Sequence, residues 1–185
     1  VPAKTLGEFV QLAKSKPGTL TFGSPGNATP QHLATERFRS QVGIDILHVP
    51  YRGTGPMMTD LLGGQIQLVF ATVAAAEQHV KSGRLRALAV TSADRLDRLP
   101  DVPTVAEAGI ADFVAEIAFG TYVAAGTAAA AIGGLNRAIN QALTDGEVRG
   151  KLVEQGFIPV GGAPTDLEKS LLAEVKAVSD LVRSG

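Results

Sequence analysis

Two rhythms alternate along the first half of the chain, one apolar position in two and one in three or four. Thr5-Leu6-Gly7-Glu8 reads as a capping box opening a helix through Phe9, Val10, Leu12 and Ala13, which Pro17-Gly18 stops. Leu20 and Phe22 then alternate with small polar residues, the period of a strand, and Gly23 ends the run. Thr29-Pro30 is a helix start, because threonine accepts a free N–H at the cap and proline suits the first helical position. Leu33, Ala34, Phe38 and Val42 continue at helical spacing. Ile44 to Pro50 predicts a second strand, followed by a loop over Tyr51 to Pro56 and a helix from Met57 to Leu62 cut by Gly63-Gly64. Ile66 to Phe70 predicts a third strand, with a helix from Thr72 through Ala76 and Val80 to Gly83. Arg86 to Thr91 predicts a fourth.

Strands alternating with helices imply an α/β fold with a mostly parallel sheet and helices on both faces. In such sheets ligands bind outside the carboxyl ends of the strands, so Gly23–Thr29, Tyr51–Thr54 and Ala71-Thr72 should open on one edge. After Thr91 the texture changes. Arg95 to Pro103 is a charged, proline-punctuated loop, and Thr104-Val105-Ala106-Glu107 is another capping box, for a short helix ending at Gly109. Phe113 to Ala124 reads as extended. Helices are expected from about Thr127 to Leu143 and from Glu147 to Gln155. A strand-like Phe157 to Val160 then leads to a last helix capped by Thr165 and Glu168. This tail has too few strands to form its own sheet and must pack on something else.

Composition narrows the class without naming a function. The chain has 185 residues, 45% hydrophobic and 19% charged, the balance of an ordered globular protein. A net charge of -1 with interspersed signs leaves no nucleic-acid footprint. No apolar run approaches the ~20 residues of a membrane span. Without cysteine there is no disulfide or thiolate chemistry. Val1-Pro2-Ala3-Lys4 carries neither an initiator Met nor a signal peptide, so a processed or excised piece is expected.

The candidate chemistry lies in Gly23-Ser24-Pro25-Gly26-Asn27-Ala28-Thr29. Free N–H groups and the positive end of a helix dipole make this place an anion site. Gly23 and Gly26 let backbone approach a ligand, while Ser24, Asn27 and Thr29 add side-chain hydrogen bonds. The plainer reading is an ordinary turn, since turns are themselves rich in these residues. The loop is not a P-loop, a G-x-G-x-x-G fingerprint or a G-x-S-x-G elbow. Ser24 and His32 have no acid placed by sequence to complete a triad, and His32, His48 and His79 lack metal-ligand spacing. No catalytic residue, metal or cofactor is therefore expected.

Several stretches together resemble the solute-binding receptors of tripartite tricarboxylate transporters, the Bug receptors. They are Val1 to Leu6, Gly23 to Ala34, His48 to Gly53, Asp60 to Gln65, Gly83 to Thr91, Leu99 to Gly109 and Pro159 to Gly162, all in the family's order. The resemblance implies a non-enzymatic periplasmic receptor whose two α/β lobes, of the type II periplasmic-binding-protein kind, close on a small carboxylate. It also implies truncation at the N-terminus. Residues 1–118 resemble the second lobe, and residues 119–185 the crossover strand and C-terminal helices of an incomplete first lobe. Implied partners are a small organic carboxylate and the transporter's membrane components, with no nucleic acid.

By the same resemblance the ligand carboxylate is held by the loop matching Gly23, Ser24, Gly26, Asn27 and Thr29. His32 is marked by the family pattern, either orienting loop or ligand or serving structure alone. Tyr51 and Arg52 end the second strand near the cleft, and Arg52 reads equally as a carboxylate clamp or a solvated surface group. Where many relatives carry an acid and an amide after the third strand, this chain has Ala71 and Thr72, and Ala118 falls where a tryptophan is frequent. This piece alone is expected to bind weakly or not at all. Two rival readings remain: a self-associating domain, forming a homo-oligomer through uncovered apolar surface, and a serine-dependent hydrolase built on Ser24.

Overall fold

The structure, a computed structural model, describes residues 1–184. It divides into two compact units, Val1–Ile117 and Ala118–Gly185. The first unit runs α1 (Leu6–Ser15), β1 (Thr21–Ser24), α2 (Pro30–Val42), β2 (Leu47–Pro50), α3 (Thr54–Leu62), β3 (Leu68–Val69) and α4 (Val73–Lys81). The second holds α5 (Ala129–Thr144), α6 (Gly146–Glu154) and α7 (Pro164–Ser184).

The sheet is parallel, with strand order β2-β1-β3. β1 is central, pairing Ser24 with Pro50 on one side and Gly23 with Val69 on the other. Successive residues of a strand face opposite ways. Phe22 accordingly lies in a core with Leu6, Phe9 and Ala13 of α1 and Phe38 of α2, while Gly23 faces Met57 of α3 and Ile66. Helices thus cover both faces of the sheet. Phe38, Phe70 and Phe113 meet in tilted and edge-on pairs 5.7–6.1 Å between centroids, and the Arg37 guanidinium lies 4.9 Å over Phe113. Burying each such ring is worth roughly 1.5–3 kcal/mol, so these phenylalanines hold α1, α2 and the 113 segment to the sheet.

Local start signals behave as the sequence implies. Thr5 Oγ1 accepts from the Glu8 N–H at 3.1 Å, and Glu8 reaches back to the Lys4 N–H rather than to Thr5 itself. Thr29 caps α2 with proline next in line, and Gly43 (φ 65°) closes that helix in the left-handed conformation.

Five expectations need correction. Residues 86–91 form no fourth strand. Val90 makes a single parallel bridge to Thr104, and Thr91 bonds Ala115 in both directions, so this segment pairs with the proline-bearing return chain instead of the sheet. Pro100 and Pro103 lack the N–H groups that a longer ladder there would use. The third strand is only two residues long, and the second begins at Leu47 rather than Ile44. The capping box at Thr104 is complete, with Thr104 N–H to Glu107 Oε2 at 2.8 Å and Glu107 N–H to Thr104 Oγ1 at 3.1 Å, yet it closes a turn and not an α-helix. Phe157 to Val160 is not a strand, because Asn140 holds both the N–H and the carbonyl of Gly162 just beyond it. α5 opens at Ala129, α6 at Gly146 on an Asp145 cap, and α7 at Pro164.

Candidate functional site at the carboxyl edge of the sheet

Because the three strands are parallel neighbours, their carboxyl ends share an edge, where the loops after Ser24, Pro50 and Val69 open. Backbone bonds join two of those loops: Tyr51 N–H donates to Ser24 O at 2.9 Å and Gly53 N–H to Pro25 O at 2.9 Å. The helices that follow, α2, α3 and α4, all begin here. None carries an acid in its first turn, whereas α1, α6 and α7 carry Glu8, Glu147 and Asp166 there. The positive ends of three helix dipoles are therefore uncompensated along this edge.

The loop before α2 is internally tied. Thr29 Oγ–H donates to Gly26 O at 2.8 Å and accepts from His32 N–H at 3.4 Å. Ala28 sits at φ 57°, a conformation costly for a residue with a Cβ, and its N–H donates to His32 Nδ1 at 3.2 Å. Two backbone donors stay open: the N–H groups of Asn27 and Gln31 have no partner among the described residues. Asn27 is exposed and its side-chain amide is also unbonded.

Each expected site residue can now be placed. Gly23 is buried mid-sheet, where it makes room for Ile66, Met57 and the Tyr51 ring rather than for a ligand. Gly26 and Thr29 shape the loop, and Asn27 stands at its outer face. Ser24 is 0% exposed, and its hydroxyl is committed to Gly26 O at 2.9 Å and His48 Nε2 at 2.7 Å. Tyr51 Oη donates to Asp60 Oδ2 at 2.8 Å, and burial together with that bond pushes its pKa up to about 12. Arg52 is exposed, as is Thr72, which starts α4 without a side-chain cap bond. The edge thus offers backbone N–H groups, the Asn27 amide, Arg52 and Thr72 to solvent, while Ser24 and Tyr51 bond inside the first unit.

Sequence reasoning missed His48. The β1–β2 register sets it beside Phe22, and its ring stacks on Phe22 at 4.7 Å and on His32 at 4.0 Å. Burial first, then His32 and Arg39, lower its pKa, so the ring resists protonation. The signal was available, since a parallel pairing of the two expected strands places Phe22 against His48. The Ser24–His48 pair does not build a nucleophile: the hydroxyl is sealed, and among the described residues no carboxylate bonds the other ring nitrogen. Among the described residues no three His, Asp or Glu side chains cluster as a metal site, and no helix is long and apolar enough to cross a membrane.

Residues 1–184 match the tripartite tricarboxylate transporter family receptor, TctC. The chain belongs to that family. It is 36% identical to the protein BugT of Bordetella pertussis over 97% of this chain and 55% of that protein. Among solved structures, Rpa4515 of R. palustris with adipate superposes with a TM-score of 0.89 at 30% identity, covering 99% of this chain and 61% of that one. MatC from Rhodopseudomonas palustris with bound malate superposes with a TM-score of 0.82 at 25% identity, over 98% and 63%. The fold is that of the periplasmic binding proteins, and the chain spans about half the length of BugT and 61% of Rpa4515.

Proposed function

We propose that this chain holds a small organic carboxylate at the edge built by α2, α3 and α4, as part of a periplasmic receptor serving a tripartite tricarboxylate-type transporter. The observation that carries the reading is the open donor set at α2: two unpaired N–H groups, of Asn27 and Gln31, at a helix end with no acid in its first turn. A carboxylate accepts such bonds with charge assistance, which a neutral ligand of the same shape does not. Asn27, Arg52 and Thr72 are free to add contacts, and Gly26 and Thr29 keep the loop in shape. The bound adipate and malate of the two structural relatives support this ligand class. Residues 1–118 would form one lobe and residues 119–185 contribute to the other. Closure of the lobes on the ligand would present the loaded form to the membrane partner.

Titration of the ¹⁵N-labelled chain tests this directly. Millimolar adipate or malate should move the amide resonances of Asn27, Gln31 and His32, and neutral adipamide should not. Equal shifts with adipamide, or none with either acid, would overturn the reading. A self-associating role is the second reading, favoured by exposed apolar side chains in the second unit, among them Phe119 at 75% and Val160 at 86%. Light scattering over a wide concentration range decides it, and a monomer throughout removes it.

A further inference from the structure

The open amides of Asn27 and Gln31 flank a residue in a costly conformation, Ala28 at φ 57°, with a helix start immediately behind it. Something must hold that turn in shape between ligands, and two side-chain clasps do so. His32 Nδ1 accepts the Ala28 N–H at 3.2 Å, a bond open only to a ring whose proton is on Nε2, toward Glu36 Oε1 at 3.7 Å. At the other end Ser24 has one hydroxyl proton and donates it to Gly26 O at 2.9 Å. Its oxygen also accepts the Gly26 N–H at 3.3 Å, and with the hydroxyl proton on Gly26 O it is the His48 Nε2–H, at 2.7 Å, that donates to it. The rings are braced by each other at 4.0 Å and by Phe22 beneath His48 at 4.7 Å. A clasp therefore grips each side of Asn27, one three residues before it and one at the next residue.

We propose that His32 and His48 are positioning residues of the anion loop, fixing Ala28 and Ser24 so that the Asn27 and Gln31 amides point outward together. This rests on the carboxylate reading of the same loop. Neither ring touches the ligand, and neither transfers a proton.

Paired substitutions separate positioning from packing, because each histidine can lose its bond or its stack independently. Phenylalanine at 32 or 48 keeps a ring in the stack and removes the clasp. His32→Asn keeps an acceptor where Nδ1 lies, and His48→Gln keeps a donor where Nε2 lies. The Phe variants should weaken adipate binding about tenfold, the scale of a lost hydrogen bond to a buried or loop-fixing group, with His32→Asn and His48→Gln recovering most of that loss. Full affinity in the Phe variants with loss in the Asn and Gln variants would overturn the proposal in favour of simple packing. Where a variant fails to fold, the wild-type chain still decides. Long-range ¹H–¹⁵N spectra at mildly alkaline pH should show both rings neutral and protonated on Nε2, with the Ala28 amide slow to exchange. A His32 proton on Nδ1, or a fast Ala28 amide, would overturn it without any ligand. If adipate does not bind the wild type while the ligand-free signatures hold, the carboxylate reading fails and the clasps stand.

Discussion

His48 is the residue whose titration should be felt by the whole fold. Its folded pKa lies below the ordinary 6.5, from burial and from His32 and Arg39; Glu36, beside both of these on α2, is the one acid in the group. As pH falls below about 6.5 the unfolded chain takes up a proton that the folded chain refuses. Stability should therefore decline from that point and level off once pH passes the folded value. Urea midpoints measured across this range should show the decline in the wild type and not in His48→Gln. The same slope in both would assign it elsewhere. Carboxylates act in a different window: Glu77, held by Arg98 and Lys81, and Glu107, held by the Thr104 N–H and Arg95, have lowered pKa values. Their contribution is present above the ordinary 4.5 and is lost as pH falls through their folded values.

At the level of the element, β1 is crowded by what crosses it. A Cβ on Gly23 would come 2.5 Å from Ile66 Cδ1, 3.1 Å from Met57 and 3.2 Å from the Tyr51 ring. Gly23→Ala should cost about 1–3 kcal/mol through overpacking, read as a lower urea midpoint. An unchanged midpoint would mean that α3 shifts freely on the sheet. Tyr51 ties β2 to α3 through Asp60, so Tyr51→Phe should cost about 1.5–3 kcal/mol in urea unfolding, the worth of a hydrogen bond to a charged group. Strand and helix starts were legible because cap residues act within three or four positions, as at Thr5 and Thr29. The supposed fourth strand was misread because Arg86 to Thr91 has strand composition, while its partner is chosen by chain fifteen or so residues on.

Across the molecule, burial is unevenly shared. Phe9, Phe22, Phe38 and Phe113 are almost fully buried, whereas the described residues after Phe113 are at most half-buried. Protection from hydrogen exchange should follow. Amides of β1 and of the middle of α2 should be the slowest in the chain, and those of α5, α6 and α7 orders of magnitude faster. Mass spectrometry of exchange reads this segment by segment, and equal protection in both units would contradict it.

The alternation of the first three strands with helices, the Thr29-Pro30 helix start and the glycine-rich turn before it were decided by the sequence alone. Caps, prolines and apolar spacing act on neighbouring residues and need no fold to be read. Which side chains meet was decided by the tertiary structure. Ser24 meets His48 across twenty-four positions because β2 runs parallel beside β1, and Tyr51 meets Asp60 because α3 folds back over Gly23. Register and packing choose partners at a distance, and that choice sealed Ser24 inside while leaving Asn27 and Gln31 open.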